Sequence, residues 1–172
     1  MPVLLGLDIG TTSTIGILID TEGRTFGLAQ RPVELVSPHP GWAEEDPEQW
    51  WANVGEVCRE LLAGSGIGPG EIEGVGVTGM LPATVLLDGQ GRPVRRSIQQ
   101  SDGRVAAEVE ALRRETDEAA FLARTGNGIN QQLVATRLRW LRRHEPEALA
   151  GAKRLCGAYD FVVHRLTGAW SL

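Results

Sequence analysis

Gly6-Leu7-Asp8-Ile9-Gly10-Thr11-Thr12-Ser13 is the stretch of this chain that decides its fold. It lies in and after an apolar run that begins at Val3, and it sets one carboxylate near the end of that run, then a glycine, then three hydroxyl side chains. Val3 to Ile9 has the near-continuous apolar character of a strand buried on both faces. A second run, Thr14 to Ile19, follows at once and ends in the turn signal Asp20-Thr21-Glu22-Gly23. Thr25 to Val36 is a third extended segment. Connections this short join only antiparallel neighbours, because a parallel crossover needs about a dozen residues or more. The sheet therefore opens as three antiparallel strands.

The chemistry of the octapeptide follows from its residue types. The glycine lets the backbone approach an anion closely, and the N–H groups of a tight turn can converge on a phosphate. The hydroxyls add donors without adding charge. An ionised aspartate only accepts hydrogen bonds, so it repels phosphate unless Mg²⁺ or an oriented water stands between them. A nucleotide-phosphate site fits these residues; a plain hairpin turn with an exposed aspartate fits them too. Other phosphate loops are excluded. No G-x-x-x-x-G-K-[ST] occurs, and the glycines at 64, 66, 68 and 70 include Pro69 and lie between a helix and a strand, the reverse of a dinucleotide turn.

Downstream, Ser37-Pro38-His39-Pro40-Gly41-Trp42 is a loop, and Asp46, Pro47 and Gln49 spell a helix start as N-cap, first-turn proline and capping-box partner. Trp50, Trp51, Val54, Val57, Cys58, Leu61 and Leu62 form one apolar stripe on that helix. Ile72 to Thr78 is a strand, Ala83 to Leu87 a further extended segment, and Asp88-Gly89 a turn. Helices are expected near 103–115, 117–124, 130–143 and 159–167, with a short strand at Arg154 to Cys156. In the third of these helices, Leu133, Val134, Leu138 and Leu141 make the apolar stripe. Its arginines Arg137, Arg139, Arg142 and Arg143 are explained by favourable charge toward a helix C-terminus. The order predicts an α/β domain with a mixed sheet and helices packed on it.

Composition narrows the function. Of 172 residues, 42% are hydrophobic and 23% charged, as in ordinary globular α/β proteins, and the formal charge of −5 argues against a nucleic-acid binder. Cys58 and Cys156 share no motif and read as reduced thiols. The start has no basic n-region, and no apolar run reaches the length of a membrane span. His39, His144 and His164 are dispersed without metal-ligand spacing, and the five tryptophans read mainly as packing. A soluble, cytoplasmic protein is expected.

Four stretches, in order and covering nearly the whole chain, are similar to one family. The octapeptide resembles the first phosphate motif of the actin-like sugar kinases. Gly41-Trp42-Ala43-Glu44-Glu45-Asp46-Pro47-Glu48-Gln49-Trp50-Trp51 resembles the G-W-x-E-x-D-P-x-x-W-W signature of FGGY carbohydrate kinases, xylulokinase-like members first. Ile72 to Gly79 with Val85 to Asp88, and Tyr159-Asp160-Phe161 with Arg165 to Gly168, resemble two further stretches of that family.

The resemblance implies an actin-like ATPase (RNase H-like) domain and phosphorylation of a sugar hydroxyl by ATP with Mg²⁺. It implies that Asp8 handles the metal and its waters, and that Gly10, Thr11, Thr12 and Ser13 face the phosphates. Gly79, Met80 and Leu81 would line the sugar pocket, together with Gln132 and the Asp102 and Arg104 of a D-x-R segment. Asp102 is also a good N-cap for the helix beginning near Val105. Leu81 and Pro82 stand where glycerol kinases carry Arg and Glu and xylulokinases Met and His; Gln100 replaces a common Trp, and Gln132 a Tyr of glycerol kinases. Glycerol is thereby disfavoured and a ketopentose such as xylulose is kept open. The resemblance further implies that 1–172 is the amino-terminal domain, incomplete at its C-terminal end, without the family's aspartate base and adenine-binding domain, and inactive alone. It allows a homodimer of the intact enzyme. The alternative is a non-catalytic actin-like module that binds nucleotide or sugar.

Overall fold

The computed structural model describes residues 1–170. Along the chain run β1 (Val3–Ile9), β2 (Ser13–Asp20), β3 (Thr25–Pro32), β4 (Glu44–Glu45), α1 (Pro47–Ser65), β5 (Ile72–Gly79), β6 (Val85–Leu87) and β7 (Ser97–Ile98). They are followed by α2 (Ala106–Glu115), α3 (Glu118–Thr125), α4 (Val134–His144), α5 (Pro146–Gly151), β8 (Arg154–Cys156) and α6 (Ala158–Thr167). These elements form two compact units. One comprises Met1–Leu35, Glu45–Leu81 and residues 157–170; the other comprises Val36–Glu44 and Pro82–Cys156.

The first unit carries a four-stranded sheet in the order β3-β2-β1-β5. β1 pairs antiparallel with β2 and β2 with β3, as the short connections require, while β5 returns through α1 to lie parallel to β1. Helix α1 packs on β2 and β3, and α6 on β1 and β5. Asp46 caps α1 by accepting from the Glu48 N–H at 2.9 Å, and Gly66 ends the helix at φ 72°. Gln49 does not close the expected capping box. Its Oε1 instead accepts from the Glu34 N–H at 2.9 Å, so it ties the segment after β3 to the helix.

One expectation for β1 is corrected. The strand alternates: Val3, Leu5, Leu7 and Ile9 are buried, while Leu4 is 37% exposed and Gly6 and Asp8 are half-buried. Among the described residues helices cover only one face of the sheet, so a continuous apolar run coexists here with a half-open face. On the covered face Gly16 permits close approach by α1. A Cβ there would overlap Val57 Cγ1 and stand 3.1 Å from Leu61 Cδ1.

The second unit is built on short strands and helices. β6 pairs antiparallel with β8, and the bridge Thr84↔Ile98 joins the start of β6 to β7. Leu86, Ile98, Val105, Val109, Ile129, Trp140 and Leu141 form its core. Helix α2 starts at Ala106, and its N-cap position, Val105, offers no side-chain cap. Asp102 therefore does not cap this helix; its carboxylate is drawn elsewhere by a stronger set of donors, described below. Asp117 does cap α3, accepting from Ala119 and Ala120 N–H at 3.0 and 3.1 Å.

Candidate functional site

In the first unit the β1–β2 turn is closed by Gly10 N–H donating to the Ser13 carbonyl at 3.0 Å. A Cβ on Gly10 would stand only 3.0 Å from that same oxygen, so the tight turn excludes larger residues. Thr11 and Thr12 are exposed, and their hydroxyls have no hydrogen-bond partner among the described residues. The Thr12 carbonyl is held by the Val33 N–H at 2.9 Å, which fixes the turn against the end of β3.

Asp8 is half-buried, and among the described residues no hydrogen bond or ion pair engages its carboxylate. It faces the open side of the sheet in register with Thr78, while Gly6 stands in register with Gly76. Two missing side chains thus open the sheet surface beside the carboxylate. Gly6, Asp8, Ile15, Ile17, Gly76 and Thr78 help line a depression of about 410 Å³.

At the end of β5, Met80 N–H donates to the Ile9 carbonyl at 2.9 Å, and a Cβ on Gly79 would stand 3.0 Å from that oxygen. The structure thereby brings Gly79 and Met80 alongside the Asp8 and Gly10 turn. Met80 is buried and Leu81 is 56% exposed. Among the described residues no group of three or more His, Cys, Asp or Glu could hold a metal. A lone, unpaired carboxylate is what Mg²⁺ requires when phosphates and waters supply its other ligands. The residues of this turn therefore fit a magnesium–nucleotide phosphate.

In the second unit the predicted pair Asp102 and Arg104 meet each other. Asp102 Oδ1 accepts from Arg104 N–H at 3.0 Å and Arg104 Nε at 2.8 Å; Oδ2 accepts from Ala43 N–H at 2.6 Å and Arg104 Nη2 at 2.7 Å. Four donors fill the carboxylate, and both side chains are almost wholly buried. Arg104 Nη2 also reaches Glu44 at 2.7 Å, Glu44 pairs with Arg95, and the Arg104 guanidinium lies 3.8 Å over the Trp42 ring. Burial works against the Arg104 charge, but Asp102 and Glu44 outweigh it and hold its pKa above the usual value. Gly103 N–H donates to the Gly41 carbonyl at 2.8 Å and Gln99 N–H to the Ala43 carbonyl at 2.9 Å. The Gly41–Glu44 stretch and the Asp102–Arg104 stretch, separate in sequence, are one interlocked structure.

Beside them Gln132 is exposed at a cavity of about 560 Å³, together with Gln100, Ser101, Asn130 and Gln131 on its loops and Glu110 and Arg113 on α2. Arg113 donates to the Ile129 carbonyl from Nη2 at 2.8 Å and pairs with Glu110 at 3.2 Å. Its charge is thereby already compensated. The lining is rich in amides that can both donate and accept, as recognition of hydroxyl groups requires.

Arg137 departs from expectation. It is not on the exposed basic face of α4 but fully buried. Nη1 donates to the Pro82 carbonyl at 2.8 Å, Thr84 Oγ1 at 3.1 Å and the Ile98 carbonyl at 3.3 Å; Nη2 donates to the Gln99 carbonyl at 2.9 Å. Burial pushes its pKa down to about 10, with Asp102 opposing the shift and Arg104 adding to it. The other arginines of α4 do lie outside: Arg139 pairs with Glu115 at 2.6 Å and Arg143 with Glu108 at 3.3 Å. Glu45, one residue before the α1 N-cap, is a second buried charge. It is fully buried, accepts from Trp50 Nε1 at 2.9 Å through Oε2, leaves Oε1 unpartnered, and has its pKa pushed up to about 7 by burial. The sequence signal for both was their place in a helical stripe or beside an N-cap, where apolar neighbours foretell burial.

Residues 3–171 match the model of the FGGY family of carbohydrate kinases, N-terminal domain. The chain belongs to the FGGY family of carbohydrate kinases. A xylulose kinase from Rhodospirillum rubrum superimposes with a TM-score of 0.94 at 52% identity, over 99% of this chain and 35% of that one. A glycerol kinase of Trichlorobacter lovleyi is 37% identical over 173 residues, which span 98% of this chain and 35% of that protein. The chain thus covers about a third of the length of these relatives. A Plasmodium falciparum glycerol kinase solved with ADP has a TM-score of 0.86 at 22% identity, a likeness of fold. The fold of this FGGY chain is that of the actin-like ATPases. No helix among the described residues is long and apolar enough to cross a membrane.

Proposed function

We propose that this FGGY chain contributes the phosphate-binding and sugar-binding parts of an ATP-dependent kinase acting on a sugar hydroxyl, with a ketopentose such as xylulose as the substrate class. One observation carries the reading: an unpaired Asp8 carboxylate and the exposed hydroxyls of Thr11 and Thr12 on a tight glycine turn, beside the end of β5. MgATP, when bound, supplies the phosphoryl group. Asp8 would hold the magnesium and its waters, while Gly10, Thr11, Thr12 and Ser13 would bind the phosphates. Gly79, Met80 and Leu81 of the first unit are read as sugar contacts, and so are Gln132 and the amides that wall the cavity of the second unit. Asp102 and Arg104 fix the Gly41–Glu44 loop that accompanies that wall. Within residues 1–172 no acid is assigned as the base, because Asp8 is given to metal and Asp102 is filled by four donors. The same reading carries a cytoplasmic enzyme with a small-molecule substrate and no nucleic-acid partner, and it allows a homodimer of the intact enzyme.

The test is ADP release by the full-length protein with MgATP against ketopentoses, hexoses and polyols, with Asp8→Ala alongside. Turnover of one sugar that falls by at least about a hundredfold in the variant is expected, since the metal site would lose its protein ligand. Folded protein without turnover on any sugar would refute the kinase reading in favour of a non-catalytic binding module.

A further inference from the structure

We infer that Arg137 is a positioning residue for stretches of the second unit that adjoin residues assigned to the sugar, an inference that rests on the kinase reading above. A buried guanidinium normally sits on a carboxylate, because removing its charge from water is costly. Among the described residues Arg137 has no such direct partner: Asp102 is filled by Ala43 and Arg104, and Arg137 Nε is left without a hydrogen bond. Its remaining donors go only to backbone carbonyls and one hydroxyl. An apolar side chain on α4 would fill this space without the desolvation cost.

What the guanidinium does that an apolar residue cannot is fix two separate chains with one planar fork. Nη1 spans Pro82, Thr84 and Ile98, and Nη2 holds Gln99. Each held chain is one peptide from a residue assigned to the sugar. Leu81 precedes Pro82, and Gln100, in the cavity lining, follows Gln99. Arg137 itself lies on the helix entered from the Asn130–Gln132 loop, which forms another wall of the same cavity. The backbone bonds between Thr84 and Ile98, at 2.9 and 3.2 Å, tie the two chains to each other but not to α4. Arg137 supplies that third tie. All of these bonds lie within the second unit.

The experiment is steady-state kinetics of the full-length protein and its Arg137→Lys and Thr84→Val variants, varying sugar and ATP separately. It is combined with hydrogen exchange at residues 98–102. A lysine keeps the charge but cannot span both chains, and valine removes the acceptor at 3.1 Å while keeping the volume. Sugar KM is expected to rise about tenfold in R137K and a few-fold in T84V, with ATP KM within about twofold and faster exchange at residues 98–102. Unchanged sugar KM in the variants, or equal rises in sugar and ATP KM, would overturn the role of Arg137 while leaving the kinase reading intact. If R137K does not fold, T84V decides alone on the same criterion. Absence of turnover in the unsubstituted protein removes the kinase reading and this inference with it.

Discussion

Replacing Gly16 by alanine tests how α1 is seated on the sheet. The added Cβ would overlap Val57 Cγ1 and press Leu61 Cδ1 at 3.1 Å, and both partners are buried side chains with little room to retreat. Overpacking a well-filled core costs about 1–3 kcal/mol. The reduced freedom of the unfolded chain returns about 0.4–1 kcal/mol of this. A net loss of about 1–2 kcal/mol is expected, equivalent to a fall in Tm of roughly 3–6 °C for a chain of this size. Urea unfolding followed by tryptophan fluorescence reads it directly, because Trp50 is fully buried in the same unit. Val57→Ala adds a second arm. Alone it opens a cavity, but combined with Gly16→Ala it makes room for the new methyl. The double variant should then be more stable than the sum of the two losses by about 0.5 kcal/mol or more. A Gly16→Ala protein as stable as the parent, or strictly additive losses, would refute the close approach of α1 to β2.

Two further outcomes concern buried acids. Glu45 has its pKa raised to about 7 in the fold, so between its ordinary carboxylate value and pH 7 the folded state binds more protons than the unfolded one. Stability contributed by this group is therefore fully present below about pH 4.5 and lost as pH rises through about 7, by at most about 3 kcal/mol. Glu45→Gln keeps an acceptor for Trp50 and should be more stable than the parent at pH 8 but not at pH 5, measured by urea unfolding at both. Asp102→Asn strips the charge that faces Arg104. Since Glu44 still pairs with Arg104, the loss should fall somewhat below the roughly 3–5 kcal/mol of a fully orphaned buried ion. A shift in the denaturation midpoint at constant slope checks it.

Much of the architecture is legible in the residues because local rules and global packing agree. The three opening strands follow from apolar runs separated by connections too short for a crossover, and α1 from Asp46, Pro47 and a stripe that holds Trp50, Val54, Val57 and Leu61. β5 had to return to the sheet, and it does so parallel to β1. The misses are cases where tertiary partners decide. β4 and β7 have two residues each, too few for any period, and the six-residue α5 is nearly as short. Gln49 has two acceptable partners in sequence terms, and the chain leaving β3 wins. Asp102 likewise satisfies an N-cap pattern, but a guanidinium and two N–H groups outcompete a helix end. The charge of Arg137 favours solvent, but carbonyls from two distant stretches make its burial tolerable. The phosphate turn was legible because its chemistry lies within eight consecutive residues. That Gln100 and the Asn130–Gln132 amides share one cavity was not, because its walls come together only through α2 and the loop that leads into α4.

The interlock of Gly41–Glu44 with Gln99–Arg104 bears on how such a chain can change over generations. The loop owes its shape to a receptor about sixty residues away: Asp102 for the Ala43 amide, Gly103 for the Gly41 carbonyl, Arg104 for the Trp42 ring. Neither half has a stable reason to keep its conformation without the other. A recombination event that brought in a loop without the tryptophan and glutamate at positions 42 and 44 would leave Arg104 without part of its seat. The heritable module is therefore the discontinuous pair, and a change in one stretch is felt in the other.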